Sequence, residues 1–286
     1  MAQERGWLLL TNDDGIEAVG FELLVKALHK EGYPVAVLAP SGYHSATGMR
    51  INLMKPMAYR SRDDLVKRWG LNPHTTPVHL FELDGTPCDT MIVALDGGIN
   101  HLVPGVHPQM VVSGVNLGPN LSQDSYHSGT MGAAREAGLY GVPAIASSFT
   151  SFDPDGMERA VDATLEAVAK AATVLPIKAA NLGRPQGALD ADYFTSWPVP
   201  TTDDRWLEDP ERALLQAFSN GDMMLNINAP SSWDGAWATT RLGVRWYRNA
   251  VRFGDEGVDA TATFTIGAAS VDHSVVAAGD CEAVED

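Results

Sequence analysis

The stretch WLLLTNDDG at residues 7–15 decides how this chain is read. Trp7 to Thr11 is a continuous apolar run cut off by a polar turn. That is the pattern of a strand covered on both faces, as in a parallel sheet. Outward from it, Phe21, Leu24, Val25 and Leu28 recur at helical spacing between Glu17 and His29, and Gly32 closes the helix. PVAVLA at 34–39 is a second strand, so the opening segment is a β-α-β unit with a right-handed crossover. QMVVSGV at 109–115 reads as another buried strand, Gly129–Leu139 as a helix, Pro143–Ser147 as a strand and Met157–Val174 as an Ala-rich amphipathic helix. Strands alternating with helices predict a doubly wound, mostly parallel α/β sheet over residues 1–180.

Beyond residue 180 the pattern changes. Pro185, Pro198, Pro200 and Pro210, several tryptophans and short strand candidates at Met223–Ile227 and Thr239–Val244 predict loops and antiparallel pieces. Residues 181–286 are expected to form a smaller, β-containing C-terminal extension. The Ala/Gly/Asp-rich tail from Gly254 is expected to be mobile at its end.

With 286 residues, 45% hydrophobic and 20% charged, the chain can bury a large core. Its net charge of −16 is uneven. Residues 1–150 carry 10 Lys and Arg against 14 Asp and Glu, a net of −4; residues 151–286 carry 10 against 22, a net of −12. Such a surface repels a nucleic-acid backbone, so duplex DNA or RNA is not an expected partner. Small anions are not excluded, because backbone amides and a metal ion bind them locally. Cys88 and Cys281 define no disulfide framework. The N-terminus carries no signal-peptide pattern and no apolar run reaches transmembrane length, so a soluble, cytoplasmic protein is expected.

In an open α/β sheet, ligands bind beyond the carboxyl ends of the strands. Three polar clusters fall there: Asn12-Asp13-Asp14-Gly15, Ser41-Gly42-Tyr43-His44-Ser45 and Ser113-Gly114-Val115-Asn116. Two adjacent carboxylates repel unless something positive lies beside them. Asp13, Asp14, the Ser45 hydroxyl and the Asn116 amide oxygen form an all-oxygen set suited to Mg²⁺ or Mn²⁺. The plainer reading of the first cluster is an Asx turn that caps the following helix. Ser128-Gly129-Thr130 opens a helix whose N–H groups could meet an anion, or is an ordinary N-cap. His44 and His127 lie in the same loops as candidate acid or base groups, and either is as readily a surface histidine. Thr86-Pro87-Cys88-Asp89 reads as a helix start with Asp89 as a cap. Trp197, Trp206, Trp233, Trp237 and Trp246 could stack a base, although such residues are more often packing anchors. No Walker A loop, dinucleotide-binding glycine fingerprint, G-x-S-x-G elbow or zinc spacing is present.

Five blocks carry a resemblance: LLLTNDDGIEAVGFELLVKAL at 8–28, VLAPSGYHSATG at 37–48, LDGTPCDT at 83–90, VVSGVNLGPNLSQDSYHSGTMGAAREAGLYGVPAIASS at 111–148 and LNINAP at 225–230. Together they resemble the SurE family of metal-dependent nucleotidases and phosphatases. The resemblance implies a Rossmann-like core and one divalent metal ion per subunit, Mg²⁺ or Mn²⁺, on Asp13, Asp14, Ser45 and Asn116. It implies phosphate contacts from Asn120, Ser128, Gly129 and Thr130, with Asp13 and Asp14 as the catalytic pair. It also implies a homodimer or homotetramer assembled through the C-terminal part. The expected reaction is hydrolysis of nucleoside 5′- or 3′-monophosphates. The alternatives are a diverged protein that binds phosphate or nucleotide without turnover, or a phosphatase for other small phosphate esters or polyphosphate. The 41–45 loop departs from the family in having Tyr43-His44 where many members are basic, and GAASVDHSVVAAGD at 267–280 lacks the usual aromatic final strand.

Overall fold

A computed structural model describes residues 5–180, 182 and 209–243, together with the backbone of four short strand pieces, Tyr247–Arg248, Val251–Phe253, Phe264–Ile266 and Ser270–Val271. Trp197, Trp206, Trp246 and almost all of the 254–286 tail lie outside the described residues, as do Pro185, Pro198 and Pro200.

The main sheet holds β1 (Trp7–Thr11), β2 (Val35–Pro40), β3 (Tyr59–Ser61), β4 (Val78–Leu83), β5 (Pro108–Leu117), β6 (Ala144–Phe149) and β7 (Leu225–Ala229). Their order is β3-β4-β2-β1-β5-β6-β7. Every neighbouring pair is parallel except β3 with β4. From β1 the chain winds out through β2 and β4 on one side and returns to β5, β6 and β7 on the other. The order therefore reverses between β1 and β5, and ligands bind at such a reversal in open α/β sheets.

Helices cover both faces, as a doubly wound sheet requires. Leu8 and Leu10 of β1 join one core with α1 (Val19–Lys30), α2 (Asp63–Arg68) and α7 (Glu158–Val174); Leu9 points the other way into a core with α3 (Pro87–Val93) and α6 (Gly129–Leu139). This alternation explains the unbroken apolar run, because each successive side chain of β1 enters one core or the other. The first helix ends as its sequence implies: Gly32, at φ +81°, lets its own N–H reach the His29 carbonyl and that of Tyr33 reach the Leu28 carbonyl. After α3 the helical path is distorted at Asp96 and Gly97 before α4 (Ile99–Leu102).

Two expectations change. The candidate at Met223–Ile227 is strand β7, and it extends the main sheet in parallel beside β6 rather than forming an antiparallel piece. It follows α8 (Pro210–Ser219), which has Pro210 in its first turn. The core sheet thus takes its last strand from the stretch after residue 180. Of the candidate at Thr239–Val244, residues 239–243 are irregular. Among the described residues, no helix is long and apolar enough to cross a membrane.

Candidate functional site

The turn after β1 is built before its carboxylates are considered. The Asn12 amide Nδ2 donates to the Gly15 carbonyl at 2.8 Å, so Asn12 makes the tight turn. Gly15, at φ +96°, approaches Gly42 so closely that a Cβ would lie 3.1 Å from the Gly42 carbonyl group. The His44 N–H donates to the Asp13 carbonyl at 2.6 Å, which ties the loop after β2 to the loop after β1. The helix α1 starts later, with Ala18 as an N-cap that makes no side-chain cap bond. Capping therefore does not account for Asp13 and Asp14.

Asp13 is 2% exposed. The Thr130 hydroxyl donates to its Oδ1 at 2.5 Å, across 117 positions of sequence. A Cβ on Gly129 would stand 2.7 Å from the Asp13 Cβ, so only glycine lets α6 begin this close. Burial pushes the Asp13 carboxyl up to about 6 and the neighbouring Asp14 charge adds to the rise, while the bonds from Thr130 oppose it. Asp14 is also raised by burial, and the Leu117 N–H on its Oδ2 at 3.0 Å and the Ser45 hydroxyl 3.5 Å from its Oδ1 work against that rise. Among the described residues, no basic side chain contributes to either shift.

Asn116 is 8% exposed, and its Nδ2 donates to the Gly118 carbonyl at 2.7 Å. That bond commits the nitrogen and leaves the amide oxygen as the donor atom for a cation. The Leu117 bond to Asp14 brings this strand end against the β1 turn, and Ser45 reaches Asp14 from the β2 side. The turn after β1, the loop after β2 and the end of β5, which carry Asp13 and Asp14, Ser45, and Asn116 respectively, therefore meet at the β1/β5 reversal. Among the described residues no group of three or more His, Cys, Asp and Glu side chains could hold a metal. A cation here would rest on two carboxylates and neutral oxygens, which suits a hard ion such as Mg²⁺. Two buried polar atoms on the same seam, Asn12 Oδ1 and Ser113 Oγ, have no hydrogen-bond partner.

The other expected residues divide. Ser128 is the N-cap of α6, and its hydroxyl accepts the Met131 N–H at 3.0 Å. The Thr130 hydroxyl is committed to Asp13. What α6 still offers an anion is the start of its backbone and the Ser128 hydroxyl proton. Asn120 is held from four directions: its N–H donates to Asn228 Oδ1 at 2.8 Å, its Nδ2 donates to the Ser148 hydroxyl at 2.8 Å, and its carbonyl accepts from Asn226 at 3.0 Å and Asn228 at 3.3 Å. Asn226 and Asn228 alternate with the apolar positions of β7, a strand pattern that says nothing of a partner more than 100 residues away. The peptide groups of His44 and His127 knit the loops together, the latter through its carbonyl and the Gly48 N–H at 2.7 Å. Burial, followed by the Arg50 charge, lowers the His44 side-chain pKa.

Thr86, rather than Asp89, is the N-cap of α3. Asp89 completes the capping box at the third helical position and also accepts from the Asn52 N–H at 2.9 Å and its Nδ2 at 2.6 Å, which pins the chain that follows the Ser45 loop. Cys88 is buried, and burial pushes its thiol up to about 12, so it is no nucleophile. Trp233 and Trp237 pack edge to face, and the Trp237 indole donates to Glu166 of α7, away from the strand ends.

Residues 8–249 match the family model described as Survival protein SurE. The chain belongs to the SurE family. Over 244 residues, 85% of this chain and 71% of the relative, it is 32% identical to the 5′-nucleotidase SurE of Anaeromyxobacter sp. (strain Fw109-5). It spans about half the length of other curated relatives it matches. One is the 5′-nucleotidase SurE of Desulfitobacterium hafniense (strain DSM 10664 / DCB-2), 40% identical over 145 residues, which is 51% of each chain. The solved SurE protein from Aquifex aeolicus shares the fold: TM-score 0.60 at 23% identity, covering 93% of this chain and 82% of that one. Asp13, Asp14, Ser45 and Asn116 all lie within the matched residues.

Proposed function

We propose that this chain is a metal-dependent phosphomonoesterase that hydrolyses nucleoside 5′-monophosphates to nucleoside and phosphate, with 3′-monophosphates as the secondary substrate. One observation carries the proposal. Two adjacent carboxylates, both disfavoured in their charged form, sit at the sheet reversal with neutral oxygen donors beside them and a helix N-terminus opposite. A hard divalent ion would suit that arrangement, and the helix N-terminus would suit a phosphate group. The relatives named 5′-nucleotidase SurE support the choice of substrate.

Asp13, Asp14, Ser45 and Asn116 would hold the ion. When bound, it would neutralise negative charge that develops on the phosphate as the ester bond breaks. The remaining work falls to the chain. The first turn of α6 and the Ser128 hydroxyl orient the phosphate oxygens. Thr130 fixes Asp13, and the Leu117 N–H fixes Asp14. Water attacks phosphorus in line with the leaving oxygen, and its proton passes to bulk water. The leaving alkoxide collects a proton from solvent.

A panel of nucleoside monophosphates, sugar phosphates and polyphosphate, assayed for phosphate release with Mg²⁺ or Mn²⁺ and again with a chelator, tests the proposal. The expected result is chelator-sensitive release, greatest for nucleotides. Nucleotide binding without release would make the chain a binding protein. Release that the chelator does not touch would remove the metal from the account.

A further inference from the structure

The loop from β6 to α7 lies at the carboxyl edge of the sheet and carries Phe152 with 79% of its surface exposed. The ring rests on Gly118: a Cβ there would lie 2.6 Å from Phe152 Cε1 and 3.0 Å from Cδ1. Gly118, at φ +115°, is the residue whose carbonyl accepts the Asn116 amide at 2.7 Å. One edge of the ring is therefore seated two residues from a proposed metal donor, and the remainder faces outward.

The loop that presents the ring is internally bonded. The Thr150 N–H donates to the Ala229 carbonyl at 3.1 Å, the Asp153 N–H to the Ser151 hydroxyl at 3.0 Å, the Asp155 N–H to Asp153 Oδ1 at 3.1 Å, and the Met157 N–H to the Pro154 carbonyl at 3.0 Å. These bonds order the backbone that carries the ring, so less backbone freedom is lost when a planar group stacks on it.

Taking the nucleotidase reading as its basis, we infer that Phe152 is the specificity-determining residue of the site and stacks the nucleobase of the substrate, while the phosphate lies at the β1/β5 reversal. A base stacks on an aromatic side chain whatever its hydrogen-bonding edge, so this platform favours nucleotides as a class over sugar phosphates and discriminates weakly among bases.

The test compares adenosine 5′-monophosphate with ribose 5-phosphate, which carries a hydroxyl at C1 in place of the base, in the wild type, Phe152→Ala and Phe152→Trp, with Mg²⁺ present. Phe152→Ala is expected to lower the ratio of kcat/KM for the nucleotide over the sugar phosphate about tenfold, chiefly through KM. Phe152→Trp is expected to keep the ratio near that of the wild type. A wild type that prefers the nucleotide, with a Phe152→Ala ratio unchanged, overturns the inference and leaves the phosphatase reading standing. Equal loss on both esters overturns it too, because the ring would then act on the phosphate site rather than on the base. A wild type that releases phosphate from neither ester removes both readings. Because the side chain is exposed, melting temperatures of the two variants are expected to match the wild type.

Discussion

Asp13 and Asp14 precede Glu17 by only a few residues, yet the two sets of carboxylates meet opposite surroundings. Glu17 shares Arg62 with Asp64 and Glu82, and also pairs with Arg68. The Arg68 and Arg62 guanidinium groups hold Glu17 below the usual carboxylate range, and Arg62 holds Asp64 at about 2. Arg62 in turn is 4% exposed and held in its charged form by those partners. Asp13 and Asp14 lie at the sheet reversal with no such cation among the described residues and are raised instead. Where the chain supplies its own positive charge, a carboxylate cluster is architecture. Where it supplies only hydroxyls and amides, the cluster is the one we propose for a divalent ion.

Breaking the first cluster is expected to cost turnover rather than stability. Asp13→Asn and Asp14→Asn should each lower kcat/KM by about 10³-fold or more, since each removes a charge from the proposed ion site. Thermal melting should show the variants at least as stable as the wild type, because the buried charge is unfavourable to the fold. Gly129→Ala keeps both carboxylates but pushes a methyl group into Asp13; steady-state kinetics should show a loss of about 10²-fold, as expected for a displacement near 1 Å. Asn228→Ala removes two of the three bonds that tie the Asn120 peptide to β7, and a smaller loss, about tenfold in kcat/KM, is expected with a destabilisation of about 1–2 kcal/mol in denaturant unfolding.

The second cluster should behave in reverse. Arg62→Met leaves Glu82 buried beside Arg60 alone, and unfolding by denaturant should report a loss of about 3–5 kcal/mol with turnover within twofold of the wild type. Its pH dependence has a definite sign. Glu17 and Asp64 have folded values below their unfolded ones, so their contribution is present above about pH 4 and is lost as the pH falls, that of Asp64 as it approaches about 2. The wild type should therefore lose stability over that window, and Arg62→Met should show a shallower acid slope.

Much of this was legible in residues 7–40 and 109–149, where apolar runs enter two cores and the polar clusters mark strand ends. Strand β4 was harder, because its alternating burial includes Glu82, which is tolerable inside only beside Arg62 and Arg60. The parallel setting of β7 was hidden because Asn226 and Asn228 look like surface residues until the Asn120 peptide is placed between them. The strand-end positions of Asp13, Asp14, Ser45 and Asn116 were readable from the sequence. The use of Thr130 was not, because a bond across 117 positions has no local signature. The cap of α3 was misassigned by three residues for a related reason: in a capping box both ends look like caps.

The central claim is that Asp13 and Asp14 complete their site with a divalent ion. Titration of Mn²⁺ followed by electron paramagnetic resonance, on the wild type and on Asp13→Asn, tests it without reference to turnover. One ion bound per chain in the wild type, and at least about tenfold weaker binding in the variant, is the predicted result. Equal binding by the two proteins, or none by the wild type, would contradict it.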